Sequence, residues 1–311
     1  MNSLPILSSL PDGYGVEESE SGVLAVDLKV ATLLNEAGLA ADSGPRTSES
    51  ELVGRRPLRE IVTAEGVFVV RNYVHGGLAR WITGERFADP ERPFHELVLS
   101  HRLSELGINT PRIVAARARK AKLGGFNLDL ISRRVTGLIS LTRLIGVAER
   151  GEVPLAELKR VAEAVGVLVR GFHEHGFLHA DLTTENVLLV EASLSEDAPR
   201  FCTLDLDRSE FVSDLTDAVR RKNLHRLYRC IVRRTSHTRS VSVPSLCARF
   251  LRGYEASPEK RKADWNALAA LVERARRLHS LGWLMERAFG QSRSAAEKGI
   301  TQLPGTTPKN R

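Results

Sequence analysis

Cysteine is scarce in this 311-residue chain: Cys202, Cys230 and Cys247 are the only three, and their spacing is not that of metal ligands. An odd, sparse set fits a reducing cytoplasm, with each thiol packed as a small core residue. Aromatic residues make up only 5 %. No basic ribbon interleaved with aromatics is present, so base stacking, and with it a nucleic-acid partner, is not expected. No uncharged apolar run reaches the roughly 18 residues that a membrane-spanning helix needs. The N-terminus, Met1–Gly15, lacks a basic start followed by an apolar run, so it does not read as a secretory signal. No internal repeat is evident.

What the chain does have is apolar mass and positive charge. Hydrophobic residues make up 42 %, enough to bury a sizeable core in one two-lobed domain or two small ones. Lys and Arg number 45 against 38 Asp and Glu, a net charge of +7. That balance favours acidic partners: a nucleotide, a phosphorylated glycan or anionic lipid headgroups.

Along the chain, residues 1–50 are rich in Gly, Ser and Glu and read as a partly disordered N-terminal extension, with one possible helix near Val23–Ala37. Leu58–Thr63 and Val67–Tyr73 are rich in β-branched residues and flank Glu65-Gly66, which reads as a hairpin. A helix is expected from Pro93 to Leu106, with Phe94, Leu97, Val98 and His101 on one face and Gly107 ending it. Ile113–Arg117 and Phe126–Arg133 read as two further strands. Residues 51–134 are therefore expected to form a small, mostly antiparallel lobe with one helix. From Val135 the pattern turns helical. Leu155, Leu158, Val161, Ala162, Val165, Leu168, Val169 and Phe172 recur at helix spacing, and Gly176 stops that helix. Short strands follow at Val187–Val190 and Phe201–Leu206. Leu224, Leu227, Tyr228, Ile231 and Val232 form one more apolar stripe, and Trp265, Leu268, Val272 and Ala275 another. Residues 135–290 thus read as a larger, mainly helical lobe, and 291–311 as a disordered polar tail. The fold class expected is α+β, with two lobes.

The segment that carries chemistry is His179-Ala180-Asp181-Leu182-Thr183-Thr184-Glu185-Asn186, between a long amphipathic helix and an apolar strand. An isolated His-x-Asp is ordinarily a capped turn. Here Asn186 stands five residues after Asp181, and Asp205 follows 24 residues after Asp181 on the next apolar strand. That is the layout of a kinase catalytic loop and its magnesium-binding acid, with Ala180 in place of the usual Arg. Phosphoryl transfer needs a base for the attacking hydroxyl, hard oxygen ligands for magnesium and cations on the phosphates. Asp181, with His179 beside it, is the expected catalytic pair. Asn186 and Asp205 are the expected magnesium ligands. Arg71, ending the strand Val67–Val70, is the expected phosphate-binding cation in the position where kinases carry Lys, and Glu96 on the following helix is its expected partner. Asp207 reads as a second metal ligand or, more simply, as a turn cap with Arg208. His75, Gly76 and Gly77 read as a phosphate approach or a tight surface turn. Gly54 with Arg55 and Arg56 is a weak candidate for a phosphate-covering loop, because no G-x-G-x-x-G is present.

Taken together, Val70-Arg71-Asn72-Tyr73-Val74-His75-Gly76-Gly77, Glu96, Thr110-Pro111-Arg112, His179-Ala180-Asp181 and Asn186 resemble the lipopolysaccharide kinase family. Its members include kinases of 3-deoxy-manno-octulosonic acid (Kdo) and of core heptose. The Arg-x-Tyr-x-x-Gly-Gly segment and Leu204-Asp205-Leu206-Asp207-Arg208 are more similar to the Kdo side of that family, as is Arg at position 71. The resemblance spans residues 52–235. It implies a bilobal protein-kinase-like fold, ATP and magnesium, and a lipid-linked sugar acceptor at the cytoplasmic face of the bacterial inner membrane. The basic segment Asp217–Arg234 reads as a solvated helix face or as a dock for an acidic glycolipid and anionic headgroups. Three other readings stay open: a core heptose kinase, an aminoglycoside- or choline-type phosphotransferase, and a partner-binding pseudokinase. Cationic acceptors predict an acid-rich cleft, which the basic helix opposes. The intact Asp181, Asn186 and Asp205 set opposes the pseudokinase.

Overall fold

Strands of alternating and continuous apolar residues build one seven-stranded antiparallel sheet in the computed structural model, which describes residues 4–53, 57–74, 86–235 and 242–270. The strands are β1 (Tyr14–Glu18), β2 (Gly22–Asp27), β3 (Ser48–Val53), β4 (Pro57–Thr63), β5 (Gly66–Asn72), β6 (Ile113–Lys120) and β7 (Phe126–Arg133), in the order β1-β2-β6-β7-β5-β4-β3. The expected hairpin is β4–β5, closed where Thr63 pairs with Gly66. Among the described residues, two α-helices accompany the sheet, α1 (Ala31–Glu36) and α2 (Arg92–Glu105).

Residues 1–50 are not the loose extension that their composition suggested. β2 lies inside the sheet beside β6, and all six of its residues are buried. Val23 and Ala25 pack on one face with Phe94, Leu97 and Leu128; Leu24 and Val26 pack on the other with Leu34, Phe68 and Ile131. A strand covered on both faces reads as a continuous apolar run, without the alternation that reveals a half-buried strand. The helix expected across Val23–Ala37 shrinks accordingly to α1. The buried Arg117–Asp129 ion pair ties the segment down further, because the Arg117 guanidinium also donates to the Ala40 and Ser43 carbonyls.

In α2 the buried face is Phe94, Glu96, Leu97, Ser100 and Leu103, whereas His101, expected inside, is exposed. Gly107 takes φ 74° just past the helix, the left-handed geometry that closes helices with glycine.

The second core gathers α3 (Leu141–Glu149), α4 (Leu155–Glu174), α5 (Asp217–Thr235) and α6 (Val243–Tyr254) around short strands. α4 and α6 meet backbone to backbone. A methyl group on Gly166 would stand 2.1 Å from the Phe250 carbonyl oxygen, and one on Gly253 would stand 1.9 Å from that of Glu163, so only glycine fits either place. Residues 258–270 form another helix that buries Leu268. The short strands are β8 (Leu138–Ser140), β9 (Phe177–Leu178), β10 (Val187–Val190), β11 (Phe201–Thr203) and β12 (Glu210–Phe211). β10 pairs with β8 and β11, and β9 with β12. Val187 pairs with Thr203 and Leu178 with Glu210, so the connecting segments 179–186 and 204–209 face each other. The strand expected to run to Leu206 stops at Thr203. Asp205 has φ 56° and Arg208 φ 60°, which places Asp205 in a tight turn rather than on a strand. Gly54–Arg56, His75–Gly77, Val272, Ala275 and the tail from 291 lie outside the described residues.

Candidate active site

Two side chains from distant parts of the chain, Glu96 and Asp205, and the nearby Tyr73 converge on Arg71 at the end of β5. Its guanidinium donates to Glu96 of α2, to Asp205 Oδ1 at 3.0 Å and to the Tyr73 hydroxyl at 3.1 Å. The Tyr73 hydroxyl in turn donates to Glu96 Oε2 at 2.5 Å, and the Leu206 backbone N–H donates to Glu96 Oε1 at 3.3 Å. The structure therefore brings together the sequence-predicted Arg71, Glu96 and Asp205, and adds Tyr73 to them. Glu96 is 4 % exposed and Arg71 30 %. Burial raises the Glu96 carboxyl above the usual range, while Arg71 and the Tyr73 hydrogen bond pull it back. Burial also opposes charge on Arg71, but Glu96, Tyr73 and Asp205 outweigh it and raise its pKa. With a guanidinium, a hydroxyl and an amide all donating to one carboxylate, Glu96 and Arg71 form an ionised pair. Asp tolerates the left-handed region better than most residues, so the φ of Asp205 costs little while it aims the carboxylate at Arg71.

The facing loop is braced from below. Leu182 is fully buried, and the Thr184 hydroxyl contacts the Thr142 hydroxyl at 2.7 Å and Cys230 Sγ at 3.0 Å. Asn186 Nδ2 donates to the Asp181 carbonyl at 2.9 Å, and the Leu204 N–H donates to the Asn186 carbonyl at 2.8 Å. The predicted Asp181 and Asn186 are thus hydrogen-bonded within one loop, and that loop is bonded to the residue before Asp205. Asp181 itself is half-buried, and its Oδ1 lies 2.6 Å from Arg226 Nη2 on α5.

His179 was expected beside Asp181 as a catalytic group, and its placement corrects that expectation. It is fully buried. Its Nε2 donates to the Leu204 carbonyl at 3.0 Å, and its Nδ1 accepts the Asp181 N–H at 3.1 Å. These partners fix the neutral tautomer, and burial lowers its pKa. With both ring nitrogens engaged by backbone, His179 positions the two loops rather than touching a substrate.

Behind His179 runs a buried relay that the sequence did not disclose. Tyr254 of α6 donates to His173 Nδ1 at 2.7 Å, His173 Nε2 donates to Asn223 Oδ1 at 3.2 Å, and Asn223 Nδ2 donates to the His179 carbonyl at 2.7 Å. His173 sits on the apolar stripe of α4, where its spacing marks it only as a core residue. Burial lowers its pKa to about 4.

The partner of Asp207 is Arg92 rather than the adjacent Arg208. The carboxylate forms a two-pronged ion pair with Arg92 at the start of α2, with Nε to Oδ1 at 3.1 Å. Arg92 also lies over the Phe87 ring, 4.7 Å from its centroid. The separation of 115 positions between Arg92 and Asp207 hides this pair from the sequence. Glu96 and Asp207 together fasten α2 to the 204–209 segment.

Among the described side chains of α5, the exposed cations are Lys222, Arg226, Arg229 and Arg233. Their spacing confines them to an arc of about 60° on the helix, one stripe leading to Asp181. Arg221 stands apart from it, paired with Asp264 at 2.9 Å.

Residues 46–254 match the model of the lipopolysaccharide kinase (Kdo/WaaP) family. The chain is 26 % identical over 190 residues to the 3-deoxy-D-manno-octulosonic acid kinase of Actinobacillus succinogenes, a match covering 60 % of this chain and 74 % of that one. It is 30 % identical over 194 residues to the kinase of the same name from Stenotrophomonas maltophilia, covering 61 % and 72 %. The solved structure of WaaP in complex with acyl carrier protein aligns over 82 % of this chain and 98 % of its own, with a TM-score of 0.56 at 21 % identity, which shows a shared kinase-like fold. The chain accordingly belongs to the lipopolysaccharide kinase (Kdo/WaaP) family, and is a phosphotransferase with an alcohol group as acceptor.

Proposed function

We propose that the chain transfers the γ-phosphoryl group of ATP to a hydroxyl of Kdo in the lipopolysaccharide inner core. The observation that supports this most is the Arg71–Glu96–Asp205 cluster facing the loop of Asp181 and Asn186. Asp181 takes the proton of the sugar hydroxyl as that oxygen bonds to the γ-phosphorus and the bond from that phosphorus to the bridging oxygen breaks, releasing ADP. Arg71 has five N–H donors and uses three of them on Glu96, Asp205 and Tyr73, so its fork retains donors for phosphate oxygens. Asn186 and Asp205 would hold magnesium, which when bound neutralises charge on the transferring phosphoryl group. Among the described residues no group of three or more His, Cys, Asp and Glu could cage a metal by itself. Two oxygen ligands still fit magnesium, which keeps several waters and takes other ligands from the nucleotide. Glu96 holds Arg71 in register, and His179 holds Asp181 and Leu204.

The acceptor in this reading is lipid-linked. The stripe of Lys222, Arg226, Arg229 and Arg233 offers an anionic glycolipid surface about 1 kcal/mol per cation. No described helix is long and apolar enough to cross a membrane, so the contact invoked is peripheral, at the cytoplasmic face of the inner membrane.

Phosphotransfer assayed side by side on Kdo–lipid A, a heptosylated core and a generic protein tests the reading. Transfer to Kdo–lipid A well above the other two is expected. Preference for the heptosylated core would move the assignment to a heptose kinase, and transfer to none would end it.

A further inference from the structure

The Arg226–Asp181 contact calls for its own explanation. Arg226 is 46 % exposed and Asp181 26 %. An ion pair so close to solvent adds little to stability. Stability does not account for an Arg at this place. A substrate does: a guanidinium donates five N–H bonds in a planar fork, so it can keep one on Asp181 and present the rest to an anion in the acceptor.

We propose that Arg226 is a specificity-determining residue that recognises the carboxylate of the acceptor sugar, alongside the hydroxyl that Asp181 deprotonates. This rests on the sugar-kinase reading above and goes beyond it by naming which group of the acceptor is read and by which side chain. Several observations converge on it. Arg226 belongs to both Asp181 and the cation stripe of α5, so it is the point where the stripe reaches the reacting hydroxyl. The relatives named above act on an octulosonic acid, a sugar with its own carboxylate. A fixed guanidinium at the base also repels cationic acceptors, so the same residue selects by attraction and by exclusion.

The test is a four-way comparison of kcat/KM, with wild type and Arg226→Gln each acting on Kdo–lipid A and on its Kdo methyl ester. Arg226→Lys serves as a charge-retaining control, and all measurements are made at saturating ATP. Wild type is expected to favour the free carboxylate by about 10- to 100-fold, the range of a charge-assisted hydrogen bond. In Arg226→Gln that preference should fall to within about threefold, in Arg226→Lys it should be intermediate, and the KM for ATP should hold. Kdo–lipid A stripped of its lipid phosphates supplies the other arm and should keep the same preference for acid over ester, although its KM rises as the cation stripe loses its anionic partners. If Arg226→Gln loses the same factor on acid and ester, Arg226 merely orients Asp181 and the proposal is overturned. If the preference disappears with the lipid phosphates instead, Arg226 reads phosphate and the carboxylate assignment is overturned. If wild type phosphorylates neither acceptor, the sugar-kinase reading fails and takes this inference with it, an outcome distinct from the other two.

Discussion

Replacing Glu96 should cripple ATP use by releasing Arg71, and the structure sets the size of the effect. Glu96 is nearly buried and accepts from Arg71, from Tyr73 and from the Leu206 N–H. Removing one partner of a buried pair costs about 3–5 kcal/mol, because the other is left desolvated and unpaired. Arg71 keeps Asp205 at 3.0 Å and is partly exposed, so the loss for Glu96→Ala should lie lower, about 2–3 kcal/mol. A loss of the same size in the grip of Arg71 on the phosphates is, at about 1.4 kcal/mol per tenfold, roughly 30- to 150-fold in kcat/KM for ATP. Arg71→Ala should cost at least as much. Because the two act on one unit, the double mutant should be little worse than the worse single, with a coupling of about 1.5–3 kcal/mol. Arg71→Lys should fall between wild type and Arg71→Ala, since it keeps charge but cannot contact Glu96, Tyr73 and Asp205 with one planar fork. The assay is steady-state phosphotransfer across an ATP series, with urea unfolding in parallel to separate lost stability from lost binding. Full additivity of the single losses would refute the partnership and leave Arg71 a strand-end cation.

Two further outcomes follow from the same geometry. Asp205→Ala should abolish magnesium-dependent ATP binding measured by calorimetry, and unchanged affinity would remove Asp205 from the metal site. His173 titrates near 6.5 when unfolded but only near 4 when buried, so as the pH falls from about 6.5 to about 4 the unfolded chain takes up a proton that the folded chain refuses. Stability present above pH 6.5 should therefore be lost across that window, by on the order of 3 kcal/mol. Urea midpoints at either end should show this loss in wild type and a smaller one in His173→Gln; equal losses would place the acid sensitivity elsewhere.

Local signals were legible in the sequence where a single face is buried. The β4–β5 hairpin, α2 and α4 follow from period-two and helical spacing with glycine stops, and Asp181, Asn186, Asp205, Arg71 and Glu96 follow from motif order. The rest was obscured for identifiable reasons. β2 is apolar on both faces, so its GVLAVD run has no alternation, and the polar residues around it mimic a tail. The β9–β12 pair, two residues on each side, is too short to carry a pattern. His179 and His173 look like chemistry in one case and core in the other, and only their hydrogen-bond partners show that both brace the 179–186 loop. Arg92–Asp207 and Arg226–Asp181 join residues far apart in sequence, which no spacing rule reaches.

The central claim is that Asp181 is the base for phosphoryl transfer to a sugar hydroxyl. Its most direct test is the rate of phosphate transfer from ATP to Kdo–lipid A by wild type and Asp181→Asn, with ATP binding measured on both. Loss of a general base costs about 10²- to 10⁴-fold, so the Asn variant should fall by that factor while binding ATP nearly as wild type does. Transfer by Asp181→Asn above about a tenth of the wild-type rate would contradict the account, because a different group would then be taking the proton.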